Sequence, residues 1–254
     1  MRIRVLGAYG SEGLGQRPSS FLVDDRLLVD AGTVTGALTV AEQLDIQHVV
    51  VSHAHLDHVA GLAFLAETLA CCNGRHPVTV VGIEAVVDAL RTGVFNNVVW
   101  PNFAQIPSAA EAVVRYRSLA EEAEQRVGDL WVTPVSVNHT VPATGFIVHD
   151  GSRGFVYSGD TGPTEALWKT ARGLSGLRAI ILECAFPDRL GKLADASRHL
   201  TPARLRRELD KLPPEVPVWI FHIKPQFYSE TAEELARLDG NRIVLLEQDK
   251  TYTV

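Results

Sequence analysis

The 254-residue sequence predicts an α/β protein in which two layers of sheet are covered by helices. Three observations predict it. Strand and helix patterns mix along the whole chain instead of segregating. Several strand candidates, such as His48-Val49-Val50-Val51 and Val78-Thr79-Val80-Val81, are short β-branched runs of the kind buried on both faces. Hydrophobic residues make up 46% and charged residues 21%, a balance that supports a packed core and excludes wholesale disorder. One domain over 1–254 is expected, with an aromatic loop inserted at about 94–107.

The elements follow in order. Ile3-Arg4-Val5-Leu6 reads as a strand that runs into the glycine-rich stretch 7–15. Ser20-Phe21-Leu22-Val23 and Leu27-Leu28-Val29 form a hairpin pattern about Asp24-Asp25, ending at Asp30-Ala31-Gly32. A helix is expected over 37–44 and a strand over 48–52. Val59, Leu62, Ala63, Ala66 and Leu69 keep helical spacing over 58–70, with the end expected before Asn73-Gly74. A strand at 78–81 and a helix at 83–91 come next. The segment 94–107 fits neither period; Phe95, Trp100 and Phe103 lie there among Asn and Pro residues. Strands are expected at 112–119, 130–137, 145–149 and 154–158, the last two joined by a turn at Asp150-Gly151. Helix 164–172, strand 178–183, helix 202–211, strand 216–221, helix 230–239 and strand 242–246 complete the chain.

Composition narrows the function classes. No apolar run approaches the roughly 18 residues of a membrane span, and 1–7 lacks the apolar stretch of a leader. The net charge of −6 leaves no footprint for a nucleic-acid groove. Three cysteines, two of them adjacent, make a poor disulfide framework and fit a reducing cytoplasm.

The strongest chemical signal is His53-Ala54-His55-Leu56-Asp57-His58, four candidate ligands directly after a buried strand. Residues i and i+2 of an extended segment point the same way, so His53 and His55 can share a metal. Asp57 and His58 open the next helix and can turn to a second metal about 3.5–4 Å away. Imidazole and carboxylate without thiolate suit zinc, iron or manganese. Further on, His139 follows strand 131–137, Asp160 ends strand 154–158 and His222 ends strand 216–221. Asp30 is expected to hydrogen-bond the loop that bears the ligands. His48, His76 and His149 read as structural, and Cys184 as a buried thiol.

This ordered set resembles the metallo-β-lactamase superfamily. The resemblance implies a four-layer αββα fold with two metal ions between the sheets. His53, His55 and His139 would hold the first, Asp57, His58 and His222 the second, and Asp160 would bridge them. The chain is more narrowly similar to the class II 3',5'-cyclic nucleotide phosphodiesterases. That similarity rests on His53 to Leu62, on Phe95-Asn96-Asn97-Val98-Val99-Trp100-Pro101-Asn102-Phe103 with Ile106-Pro107, on Ser158-Gly159-Asp160-Thr161-Gly162-Pro163, on Ile181-Leu182-Glu183-Cys184-Ala185-Phe186, on His199-Leu200-Thr201-Pro202 and on His222-Ile223-Lys224-Pro225. One departure is Arg198, which stands where that family usually has glycine.

What the resemblance implies is a binuclear zinc phosphodiesterase, with manganese or iron as alternative metals. It would open cyclic AMP or cyclic GMP to the 5'-nucleotide through attack of a metal-bridged hydroxide on phosphorus. Asp57 would serve the catalytic centre, and a Glu183–His199 pair would protonate the leaving oxygen, the carboxylate keeping the imidazole charged. Lys224 is expected to meet a phosphate oxygen. Phe95 and Trp100 are expected to offer a stacking face to the base, and Asn96 a hydrogen bond to its edge. The expected partners are a small cyclic nucleotide and a second copy of the chain as a homodimer, with neither membrane nor nucleic acid. An RNA-processing endonuclease of the ribonuclease Z type shares the ligands and the Glu–His pair, but its Gly/Pro-rich arm has no counterpart here. A non-catalytic nucleotide-binding module has little need of seven ligands. An oxygen-reducing di-iron protein would carry Glu in place of His55 and a flavin domain that this length excludes.

Overall fold

A computed structural model describes residues 1–72, 74, 76–238 and 242–254. The first half of the chain contains β1 (Arg2–Gly7), β2 (Ser20–Val23), β3 (Leu27–Ala31), α1 (Val40–Leu44), β4 (His48–Val50), α2 (Leu56–Cys71), β5 (Val78–Ile83), α3 (Glu84–Ala89) and β6 (Val114–Leu119). The second half contains β7 (Gln125–Val127), β8 (Leu130–Ser136), β9 (Thr144–His149), β10 (Gly154–Tyr157), α4 (Ala166–Ala171), β11 (Leu177–Glu183), α5 (Gly191–Ser197), α6 (Pro202–Leu209), β12 (Val218–Phe221), α7 (Tyr228–Leu235), β13 (Ile243–Leu245) and β14 (Thr251–Thr253).

Among the described residues the strands form two seven-stranded sheets, ordered β14-β1-β2-β3-β4-β5-β6 and β13-β12-β11-β10-β9-β8-β7. Each sheet has an antiparallel part and a parallel part. In the first, β3, β4, β5 and β6 run parallel. In the second, β10, β11, β12 and β13 do.

Strand alternation builds the four layers. Along β3, Leu27 and Val29 face the other sheet, while Leu28 turns out beneath the helices. Ile181 of β11 faces inward, and its neighbours Ile180 and Leu182 turn outward. The central layer therefore packs Phe21, Val29, Val50 and Val81 against Phe146, Tyr157, Ile181 and Phe221. Leu62, Leu65 and Leu69 of α2 cover the outside of the first sheet. Trp168 of α4, Leu205 of α6 and Leu235 of α7 cover the second. Each fully buried aliphatic or aromatic side chain contributes roughly 1.5–3 kcal/mol. The order is αββα.

Local chemistry sets the boundaries. The β2–β3 turn takes Asp24 and Asp25 at φ 45° and 62°, the two left-handed positions of a type I′ hairpin. The helix expected over 37–44 begins only at Val40, because Thr39 caps it in a reciprocal box with Glu42. The helix expected over 58–70 starts two residues earlier and reaches Cys71. Asn73, part of its expected end, and residue 239, the expected end of the helix after β12, lie outside the described residues. β7, β14 and α5 have no counterpart in the expected elements. The two strands are three residues each, and α5 buries only Ala194, so none carries a periodic apolar signal. Among the described residues, no helix is long and apolar enough to cross a membrane.

The topology gathers one set of strand ends. β8 is antiparallel to β9, and β9 to β10, so β8, β10, β11 and β12 all point the same way. The segments after their carboxyl ends carry His139, Asp160, the 184–201 connection and His222. The segment after β4 brings His53 to His58 from the facing sheet. Open sheets with parallel strands bind ligands at such ends.

Candidate metal centre and active site

His55 is the N-cap of α2, with φ −69° and ψ 146°. His55 is therefore extended, with His53 two residues before it, while Asp57 and His58 sit in the first helical turn. The His55 Nδ1 lies 3.1 Å from His53 Nε2 and 3.2 Å from His139 Nε2. An ion bound tetrahedrally at about 2.0–2.1 Å would hold its nitrogens about 3.4 Å apart. These three are already nearly so placed.

The other ligands close the cluster. His58 Nε2 lies 3.1 Å from Asp160 Oδ1, and His222 Nε2 lies 3.1 Å from Asp160 Oδ2. His53 Nε2 lies 3.5 Å from Asp160 Oδ2, and Asp57 Oδ2 lies 3.8 Å from His222 Nε2. His58 Nε2 and Asp160 Oδ1 are buried without any hydrogen-bond partner. Such orphaned atoms cost roughly 1–3 kcal/mol each unless something else binds them. The donor set fits divalent metal. His53, His55, His139 and Asp160 form one group with ligand atoms within 4.8 Å of one another, and Asp57, His58 and His222 form another. The structure thus brings together all seven residues that the sequence singles out as ligands.

A second layer fixes which ring nitrogen faces inward. His53 Nδ1 meets Ser52 Oγ at 3.0 Å, His222 Nδ1 meets Ser19 Oγ at 3.1 Å, and His139 Nδ1 meets the Arg198 carbonyl at 3.4 Å. His58 Nδ1 donates to Asp30 Oδ2 at 2.7 Å. In each ring Nε2 is left for the centre. Asp30 also accepts from the Ser52 amide, the Ser52 hydroxyl and the Tyr157 hydroxyl at 2.6–2.7 Å. It ties the ends of β3, β4 and β10 together. Ser19 and Tyr157 give no signal in the sequence, because each reaches the site only through packing of distant segments; Ser52 is also absent from the residues the sequence singles out, although its place next to His53 is a signal that points to it.

Charge follows burial. Burial pushes the His53 imidazole well below its ordinary range and drives His139 down to about 4. Burial would raise Asp160, but the imidazoles of His222 and His58 hold it well below the usual carboxylate range. His58 is the exception: burial works to lower it, but the Asp160 and Asp30 carboxylates raise it well above its ordinary value, so its proton offsets the buried carboxylate charge that a cation would otherwise meet.

Glu183 and His199 stand beside that site. Glu183 is fully buried at the end of β11; its Oε1 accepts from His199 Nδ1 at 2.7 Å and from the Thr161 amide at 3.0 Å. The His199 ring lies 5.2 Å from that of His139 and stacks on that of His222 at 5.3 Å. Burial works to lower the His199 pKa, but the Glu183 carboxylate outweighs it and raises the imidazole above its ordinary value. His199 can also be grouped with Asp160 and His222 as a metal-holding set. The 2.7 Å bond to Glu183 favours a protonated, charged ring instead. Arg198 takes the left-handed conformation at φ 55°, ψ 55°, where glycine has least strain. Its guanidinium donates to the His139 carbonyl, which ties the ligand to the residue before His199.

Lys224 lies at the same rim. Its Nζ donates to the Gly10 carbonyl and stands 3.4 Å from Asp57 Oδ2 and 3.5 Å from His222 Nε2.

The aromatic loop corrects the expectation of a stacking face. Phe95 is 1% exposed and packs with Phe103 in the layer between α2 and the first sheet, so it has no free ring face. The Asn96 amide is committed within the loop, Nδ2 donating to the Thr92 carbonyl and Oδ1 accepting from the amides of Val98 and Val99. Trp100 is half-buried, donates Nε1–H to the Ala63 carbonyl at 3.1 Å and abuts Phe64 of α2 edge-on at 5.6 Å. The contacts of these three residues are within the loop, with the adjoining turn and with α2.

Residues 25–245 match the family model described as "Beta-lactamase superfamily domain". A Yersinia pestis protein named "Probable 3',5'-cyclic-nucleotide phosphodiesterase" is 31% identical over 206 residues, covering 70% of this chain and 57% of the relative. The chain thus spans a little over half that relative's length. A protein of Ignicoccus hospitalis named "Ribonuclease Z" is 33% identical over 108 residues, covering 42% of this chain and 33% of the relative. The crystal structure of unliganded yeast PDE1 superposes with a TM-score of 0.81 at 19% identity, covering 98% of each chain. That likeness shows the fold. With the family model matched from the β2–β3 turn through β13 and the αββα layers in place, this chain belongs to the β-lactamase superfamily.

Proposed function

We propose that the chain is a metal-dependent phosphodiesterase that opens 3',5'-cyclic nucleotides to 5'-nucleotides, with two zinc ions as its metals. The observation that carries the reading is the Glu183–His199 pair, bonded at 2.7 Å and stacked against the ligand cluster. A hydrolytic phosphodiesterase needs both parts: a cation site for the phosphate and a proton donor for the leaving oxygen. His53, His55, His139 and Asp160 would hold one ion, and Asp57, His58, His222 and Asp160 the other. When bound, the ions supply Lewis acidity, which makes water acidic near neutral pH and draws charge from the phosphoryl oxygens.

The chain's own residues do the rest. Lys224 Nζ, at the rim between Gly10 and Asp57, donates to a non-bridging phosphate oxygen. Asp57 orients the attacking water through its carboxylate. Water adds to phosphorus in line with O3' and releases one proton to solvent, from which His199 is later recharged, and the P–O3' bond breaks. The proton needed by O3' comes from the outer nitrogen of His199, while Glu183 retains the Nδ1–H and keeps the ring charged. The product carries its phosphate on O5'. The proposed compartment is the cytoplasm, where Cys71, Cys72 and Cys184 stay reduced. A homodimer is the proposed assembly.

Zinc-loaded protein should hydrolyse cyclic AMP or cyclic GMP in preference to a 2',3'-cyclic nucleotide and a precursor tRNA. Cleavage of the precursor tRNA alone would replace this reading with the ribonuclease Z one, which the formal charge of −6 disfavours.

A further inference from the structure

A cleft of about 670 Å³ opens beside the metal centre. Asp57, Lys224 and Phe64 all line it. The side walls come from 10–12 and 32–36, with Glu12 and Thr35 among them. The cleft is therefore continuous with the groups proposed to bind phosphate.

Helix α2 forms its floor. Asp57, Ala60, Gly61 and Phe64 fall at i, i+3, i+4 and i+7, which puts them on one face. Seven residues of helix span roughly 10 Å. That is the scale on which a nucleotide separates its phosphate from its base. Ala60 is exposed and small, which leaves the middle of the floor open. Gly61 is buried against the opposite wall. A Cβ there would meet the Ala31 carbonyl oxygen and the Val34 amide nitrogen at 2.8 Å each, so glycine lets that wall approach.

Phe64 is 51% exposed. A single exposed aromatic on a helix is ordinary. Two features set this one apart: it shares a cleft with Lys224 and Asp57, and its ring is held. Trp100 meets it edge-on at 5.6 Å and 74°. The Trp100 Nε1–H bond to the Ala63 carbonyl, one residue before Phe64 on the same helix, fixes the buttress.

We propose that this cleft is the nucleoside subsite, with the Phe64 ring as the platform on which a purine base stacks and Trp100 as the residue that positions that ring. The ribose lies over Ala60. Glu12 accepts from an N–H group on the base edge, such as the amino group of adenine or guanine, and the ring area of Phe64 favours the larger purine. The inference rests on the cyclic-nucleotide reading above and names where that substrate's specificity resides.

The test compares cyclic AMP with methyl ribofuranoside 3',5'-cyclic phosphate, which keeps the ring phosphate and lacks the base. Phe64→Leu should raise the ratio of KM for cyclic AMP to KM for the base-free diester about 10-fold or more, as loss of one base–aromatic stack predicts. Phe64→Tyr should restore the wild-type ratio. Trp100→Leu should shift the ratio the same way by less. Equilibrium dialysis of 5'-AMP against the zinc-loaded proteins should show the same order of affinities. An unchanged ratio in Phe64→Leu, with cyclic AMP still turned over by the wild type, overturns the subsite and leaves the phosphodiesterase reading standing. Absence of cyclic-nucleotide turnover by the wild type overturns both.

Discussion

The strand-end cluster and the 94–107 loop are both dense in side chains that bind ligands, and they use them in opposite ways. In the cluster, buried polar atoms face one another with nothing between them: His58 Nε2 and Asp160 Oδ1 have no hydrogen-bond partner. In the loop, polar groups close on the loop and on α2. Asn96 Oδ1 accepts from the amides of Val98 and Val99, Asn97 Oδ1 accepts from the Asn102 amide, and Trp100 Nε1 donates to Ala63. Residue type does not separate the two regions. What separates them is whether folding satisfies the groups it buries. A satisfied Asn or Trp stabilises structure; an unsatisfied imidazole or carboxylate is held in place for a ligand.

The largest effect should come from breaking the cluster at its centre. Asp160→Ala removes the carboxylate proposed to bridge the two ions, which belongs to the His53, His55 and His139 group and lies 3.1 Å from both His58 Nε2 and His222 Nε2. Elemental analysis after zinc loading should fall from about two ions per chain to below one, and activity should drop beyond the roughly 10–100-fold that loss of an outer partner costs. Asp30→Asn, which touches only the outer layer, should stay within that range. Equal losses in the two variants would mean that the bridge is no more important than its support.

Next is the proton donor beside the cluster. His199→Ala should keep both ions and lose about 10²–10⁴-fold in kcat on cyclic AMP. A diester with a nitrophenyl leaving group, which departs without a proton, should lose far less. Loss of metal in His199→Ala would move His199 from the acid to the ligand set.

The loop should answer differently. Phe95→Ala should cost about 3–5 kcal/mol of stability by leaving a cavity under α2. Denaturant melts should show that loss while zinc content per folded chain stays at the wild-type value. A Phe95 variant of wild-type stability with impaired turnover would return the loop to the substrate site. Asn96→Ala, which removes bonds to the Val98 and Val99 amides, should cost about 1 kcal/mol in the same melts.

The smallest effect is a control at a capped helix outside both regions. Hydrogen bonds from Thr39, with help from Arg4, hold the Glu42 carboxyl down to about 2, against 4.5 for the free group. Its folded pKa is depressed, so its stabilisation is present above about 4.5 and is lost as the pH falls through about 2. Glu42→Gln should therefore narrow the stability difference between neutral and acid pH. Because this carboxylate is partly exposed, the change should be small.

Sequence alone determined the alternation of strands and helices and singled out His53, His55, Asp57 and His58 as candidate metal ligands. Two-residue and helical periods are local, and the His53 to His58 run gathers four ligands on one strand end, so neither needs distant contacts to be read. The resemblance supplied His139, Asp160 and His222 as their partners. Tertiary structure alone decided the rest. Ser19 meets His222, and Tyr157 meets Asp30, only after strands far apart in the chain pair and the two sheets face each other. The side on which Phe95 lies was also undecided by its own segment. An aromatic between Asn and Pro residues can face water or a core, and the choice depends on how close α2 and the first sheet approach. Here they bury Phe95 and leave Phe64 exposed in the cleft that Asp57 and Lys224 also line, because packing between distant elements determines which apolar faces remain open.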